Sequence, residues 1–179
     1  MTKKGNSNDI KERAKIILLG LDNSGKTSIV YSLQKRKGLH NYSNISPTKN
    51  HNIEEINTNE KEYIIWDIGG QTRNREDFLS EFEIKVEGTN KIIYVIDVQD
   101  IERYDKALQY LSEVIENLKK CSLNVKISVF LHKFDPHLTI NRQKLQELIR
   151  EIEDLIPNQF EYSISKTSIF TVFRKKDLL

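Results

Sequence analysis

The chain has 179 residues, a length that one α/β domain fills and that two full hydrophobic cores would exceed. Its 28 Lys and Arg against 26 Asp and Glu leave a net charge of +2, which excludes a strong long-range field for gathering nucleic acid. Cys121 is the single cysteine, so a disulfide framework and a cysteine-built metal site are excluded, and a reducing, cytoplasmic setting is expected.

Residues 1–12 are polar and mixed in charge, with Gly5, Asn6, Ser7 and Asn8 in a row, and are read as a short disordered arm before a single domain spanning 13–179. Ala14 to Leu19 is a compact apolar run of the kind found in a central strand buried on both faces. Directly after it comes Gly20-Leu21-Asp22-Asn23-Ser24-Gly25-Lys26-Thr27, followed by Ser28 and a helical pattern. Strand, glycine loop and helix in this order form a phosphate cradle: the glycines let the backbone wrap closely, and its N–H groups point at phosphate oxygens. Lys26 adds a charge for the β and γ phosphates, and Thr27 offers a hydroxyl to Mg²⁺.

Ile45-Ser46-Pro47-Thr48 lies in the loop that follows, where Thr48 is a second candidate hydroxyl for Mg²⁺. Ile53 to Thr58 and Glu62 to Asp67 are joined by a short polar turn and predict a hairpin, hence one antiparallel edge strand. The second hairpin strand ends in Trp66-Asp67-Ile68-Gly69-Gly70-Gln71. There Asp67 can hold a Mg²⁺ water, Gly70 can bring a backbone N–H to a γ-phosphate, and Gln71 can orient a water for in-line attack. Arg73 and Arg75 are expected to face solvent or partners.

Lys91 to Asp97 and Val125 to His132 are two more buried-strand runs, separated by the helical spacing Leu108, Leu111, Ile115 and Leu118. His132-Lys133-Phe134-Asp135 follows the latter strand. The Asp135 carboxylate can accept both N1–H and N2–H₂ of guanine, which adenine does not offer, and the Lys133 stem can lie along the purine face. Leu145, Leu148, Ile149, Ile152, Leu155 and Ile156 predict a further helix. A last strand is expected at Phe160 to Ser163, with Ser163 and Ile164 placed to contact the guanine O6, and a closing helix from about Thr167 to Lys176. Strand and helix in alternation imply right-handed crossovers and a parallel sheet. The expected fold is α/β, six mostly parallel strands with one antiparallel edge strand and helices on both faces.

These five segments, in this order, resemble the Ras-superfamily small GTPases over Ala14 to Lys176, a P-loop nucleotide-hydrolase fold. The front half, with GLDNSGKTS at Gly20 to Ser28, SPT at Ser46 to Thr48 and WDIGGQ at Trp66 to Gln71, is similar to the Arf and Arf-like branch. HKFD at His132 to Asp135 and YSISKTSIF at Tyr162 to Phe170 look more like the Rag (Gtr) GTPases, in which His also stands where most small GTPases carry Asn. The resemblance implies a switch that binds GTP or GDP with Mg²⁺, hydrolyses GTP slowly and meets effector, exchange and GTPase-activating proteins. A nucleotide-bound interaction module with little hydrolysis stays open as the alternative. A P-loop kinase of small molecules would bring an arginine-rich lid, which the sequence does not offer. Thr2 in second place and the ending Lys176-Asp177-Leu178-Leu179 offer no acylation or prenylation site, so no direct lipid anchor is expected, and membranes would be met through partners. With no room for a Rag-type dimerisation domain, any dimer is expected to be weak or nucleotide-dependent.

Overall fold

The computed structural model describes residues 11–34 and 45–169. Six strands, β1 (Glu12–Leu19), β2 (His51–Asn57), β3 (Lys61–Ile68), β4 (Thr89–Asp97), β5 (Lys126–His132) and β6 (Tyr162–Lys166), form one sheet in the order β2-β3-β1-β4-β5-β6. Every pairing is parallel except that of β2 with β3. The β2–β3 turn is closed by Thr58, whose N–H donates to Lys61 O at 2.9 Å while its hydroxyl accepts from Lys61 N–H at 3.0 Å.

Alternation along the strands decides which helix covers which face. Ile17, Leu19, Tyr94, Ile96, Val129 and Leu131 point to one side, under α4 (Tyr104–Lys120) and α5 (Arg142–Leu155). The stripe Leu108, Leu111, Ile115 and Leu118 is buried there, as its helical spacing predicts. Two short helices, α2 (Thr72–Ser80) and α3 (Phe82–Val86), close the same side with Phe78, Phe82 and Val86. On the opposite face Leu18, Ile65, Ile93 and Val95 pack under Ile29 and Val30 of α1 (Lys26–Leu33). The registers set Leu18 beside Asp67 and Asp97 beside His132, so the loops leaving β1, β3, β4 and β5 emerge along one rim. In open parallel sheets that rim is where ligands sit.

Several elements differ from expectation. β1 begins at Glu12, inside the stretch assigned to the arm, whose residues 1–10 lie outside the described ones. β6 begins later than Phe160, because residues 157–160 form a turn closed by Phe160 N–H on Pro157 O, with the Phe160 ring buried as its anchor. Residues 167–169 are irregular rather than the start of a helix, and the rest of the expected closing helix lies outside the described residues. Helix α2 was hidden because TRNREDFLS buries only Asn74, Arg75 and Phe78, so its apolar signal is a single residue.

Candidate functional site

The loop after β1 turns into α1 through Gly25, whose φ of 94° is left-handed and disfavours a side chain. A Cβ there would also stand 2.5 Å from Cδ2 of His132. Lys26 follows at the first helical position and is 5% exposed. Its Nζ donates to Gly20 O at 3.1 Å and Leu21 O at 2.7 Å, curling over its own loop. Burial pushes its pKa down to about 8; Asp67 and Asp22 oppose the shift and Arg75 and Arg103 add to it. Such a cation gains from any anion that reaches it. Leu21 and Ser24 are buried, and Ser24 Oγ has no partner.

Three segments far apart in sequence meet beside this lysine. Thr27 Oγ1 donates to Asp67 Oδ2 at 2.5 Å, Thr48 Oγ1 donates to the same oxygen at 3.2 Å, and the two hydroxyls are 3.1 Å apart. Asp67 is 1% exposed and its Oδ1 has no partner. Burial raises its pKa, while the Thr27 hydrogen bond and the Lys26 charge pull the other way. Two hydroxyls and an under-satisfied carboxylate are hard oxygen donors of the kind Mg²⁺ takes when phosphate and water complete its shell. The residues therefore fit the metal, although no cluster of three His, Cys, Asp or Glu occurs among the described residues.

A cleft of about 340 Å³ opens beside this triad, lined by Asp22, Asn23 and residues 25–28 of the loop, residues 45–48 and Gly70–Gln71. Gly70 packs directly on the loop: Asp22 N–H donates to Gly70 O at 3.0 Å, and a Cβ at Gly70 would fall 2.2 Å from Asp22 N. Gln71 is exposed at the N-cap of α2, on the cleft wall. Arg73 is exposed as expected, but Arg75 is not: it is 9% exposed, donates to Gly70 O and Thr72 Oγ1, and lies 5.0 Å from the Tyr110 ring. The aromatic and carbonyl partners of α2 hold it inward. Arg103, which sequence reasoning missed, reaches Asp22 O at 2.6 Å and Asp22 Oδ1 at 3.2 Å from the turn after β4. Nothing in its local sequence distinguishes it from other surface arginines.

At the other end of the rim, His132 is 3% exposed, and its Nδ1 bonds the Thr167 hydroxyl at 2.9 Å. Burial, then the Lys133 charge, lowers its pKa, so the ring is neutral near pH 7 and ties β5, the segment after β6 and Gly25 together. Lys133 has a left-handed φ of 59° and pairs with Asp97 at 2.7 Å. Asp135 is exposed; Gln99 Nε2 donates to its Oδ2 at 3.0 Å and the Ser168 hydroxyl donates to its Oδ1.

Ser163 and Ile164 are not beside Asp135. They sit within β6, opposite Ser128 and Val129, where Ser163 Oγ bonds Ser128 Oγ at 2.8 Å and Ile164 packs on the core. The reason is that β6 runs from Tyr162 to Lys166 rather than from Phe160 to Ser163, which moves the post-strand position from Ile164 to Thr167 and Ser168. The alternating Tyr162-Ser163-Ile164-Ser165-Lys166 was the signal that could have shown it.

The model of the ADP-ribosylation factor family matches residues 2–176. ADP-ribosylation factor-like protein 5A of Homo sapiens is 36% identical over 111 residues, 61% of this chain and 58% of that protein. ADP-ribosylation factor 3 of Arabidopsis thaliana is 34% identical over 105 residues, 59% and 53% of the two chains. The matched stretch thus spans little more than half the length of these curated relatives. The solved structure of the Arl6 BBS3 small GTPase from Trypanosoma brucei with bound nucleotide analogue GppNp is 21% identical, covers 87% of each chain and aligns with a TM-score of 0.69, a likeness in fold. The family match runs from before the phosphate loop to beyond the segment of Ser168, across both the Arf-like front half and the back half, and the chain belongs to the ADP-ribosylation factor family.

Proposed function

We propose that the chain is a guanine-nucleotide switch that binds GTP and GDP with Mg²⁺ and hydrolyses GTP slowly. The observation that carries this reading is the convergence of the Thr27 and Thr48 hydroxyls on Asp67 beside the buried Lys26. Lys26 Nζ, now satisfied by its own loop carbonyls, turns to the β and γ phosphates, and the loop amides and the α1 N-terminus orient the chain of phosphates. Thr27 and Thr48 would hold Mg²⁺ directly and Asp67 through a water. When bound, the ion neutralises charge on the β and γ oxygens. Gly70 limits the γ-phosphate pocket, and Gln71, on the cleft wall, orients the attacking water.

At the base end, Asp135 accepts the guanine N1–H and N2–H₂ and the Lys133 stem covers the ring. His132 holds the loop, and Ser168, hydrogen-bonded to Asp135, takes the place expected of Ser163 and Ile164. Slow hydrolysis follows from the arginines: Arg75 is bound inward and Arg73 points to solvent, so neither neutralises charge developing on the phosphates. An activating protein that inserts one would accelerate the step by about 10³–10⁵. Effector and exchange proteins would read residues 45–48 and 69–78, which the γ-phosphate orders. A cytoplasmic location with membrane contact through partners suits a chain whose described residues include no helix long and apolar enough to cross a membrane.

Single-turnover hydrolysis tests the catalytic part. Gln71→Leu is expected to slow phosphate release by about tenfold or more, because the water loses its orientation. Equal rates in the two proteins would favour a nucleotide-bound interaction module in which Gln71 has no catalytic part.

A further inference from the structure

Asn74 is a buried amide that no sequence motif singles out. It lies in the first turn of α2, three residues after Gln71, and is 7% exposed. A buried side-chain amide is costly without partners, so its hydrogen bond is informative. Nδ2 donates to Thr48 O at 3.1 Å. Gly69 makes the contact possible: a Cβ there would lie 2.2 Å from Asn74 Nδ2 and 2.6 Å from Thr48 O. The Gly69 N–H donates to Asn50 O at 2.7 Å and fixes the same stretch two residues further on. Thr48 is thus held at both ends, by Asp67 through its hydroxyl and by Asn74 through its carbonyl.

We propose that Asn74 is a positioning residue that makes the two nucleotide-sensing segments move as one. The inference rests on the guanine-nucleotide reading above and assigns the coupling within that site. When Thr48 approaches the Mg²⁺ side of the cleft, its carbonyl satisfies the Asn74 amide and fixes the turn of α2 that Gln71 caps. When Thr48 leaves, a buried donor loses its acceptor, so the start of α2 loses stability with it. Ordering of Thr48 and placement of Gln71 therefore become one event rather than two.

The test uses the full chain with two variants, Asn74→Leu, which keeps the volume and removes the donor, and Asn74→Asp, which keeps the shape and turns an acceptor toward the carbonyl. Affinities for GDP and for a non-hydrolysable GTP analogue are measured with Mg²⁺, following Trp66 fluorescence. Loss of the hydrogen bond predicts about 5- to 20-fold weaker analogue binding and GDP binding within about twofold of the unmutated chain, with Asp the worse variant. The Mg²⁺ concentration needed for half-maximal analogue binding should rise as well. A purely structural role would weaken both nucleotides alike, and an unchanged analogue-to-GDP ratio in both variants overturns the proposal. Failure of the unmutated chain to bind either nucleotide would bring down the functional reading itself and the coupling with it.

Discussion

Lys26 and Asp67 at the proposed phosphate end are 5% and 1% exposed, whereas Asp135 at the proposed base end is exposed and Lys133 only half-buried. The first pair is gripped by carbonyls of Gly20 and Leu21 on Lys26 and by the hydroxyls of Thr27 from α1 and Thr48 from the segment before β2 on Asp67, through buried or part-buried hydrogen bonds. The second is oriented by exposed hydrogen bonds from Gln99 and Ser168 to Asp135 and by a part-buried pairing of Lys133 with Asp97. Buried charges interact strongly and are expensive to leave unpaired, while exposed ones are screened and tolerate exchange. The phosphate end should therefore set whether nucleotide binds at all, and the base end which nucleotide.

The largest effect expected is at Lys26. Lys26→Met removes two charge-assisted contacts to phosphate and should weaken both GDP and GTP by about a hundredfold or more. The pH dependence has a definite sign. Lys26 titrates at about 8 when folded against 10.5 as a model side chain, so between these values the unfolded chain binds more protons. Its contribution to stability then rises with pH across that window. Thermal melting of the nucleotide-free protein from pH 8 to 10 should show a rising component in the unmutated chain that Lys26→Met lacks; parallel profiles would break the comparison.

Next in size is Asp135→Asn, which reverses hydrogen-bond polarity at the base edge. It should cost about 10- to 100-fold in GTP affinity while xanthosine triphosphate gains, with phosphate recognition intact. A loss shared by both nucleotides would mean that the two ends are not separable. The smallest expected effect discriminates between two serines. Ser168→Ala should weaken GTP about fivefold by freeing one side of Asp135, and Ser163→Ala should leave it unchanged. The reverse order would return the base contact to the middle of β6.

The phosphate end was legible because its chemistry is written in contiguous stretches attached to strand ends. Gly20 to Thr27 needs only β1 and α1 to be recognised, and Asp67 to Gln71 needs only β3. Thr48 could be paired with them only by its place in the loop between the two motifs, since Pro-Thr in a loop is by itself a weak signal. The base end depends on where one strand stops: β6 ends at Lys166 rather than at Ser163, which puts Ser163 inside the strand and Ser168 after it, and two serine-containing stretches in a row give no local reason to prefer either. Asn74, Gln99 and Arg103 were illegible for another reason. Each acts through long-range contacts, Asn74 to Thr48, Gln99 to Lys133 and Asp135, and Arg103 to Asp22, and polar residues on helix or loop surfaces carry no periodic signal of such partners. Arg75 was read as exposed because the polar sequence of α2 hides the Tyr110 ring and the Gly70 carbonyl that receive it.

The central claim is that Lys26 and the Thr27–Thr48–Asp67 cluster form one Mg²⁺-assisted triphosphate site. Calorimetric titration of nucleotide-cleared protein with a non-hydrolysable GTP analogue, in Mg²⁺ and again in EDTA, addresses it most directly. Saturable heat in Mg²⁺ that weakens sharply in EDTA is the predicted result; no heat in either buffer, or equal affinity in both, would contradict it.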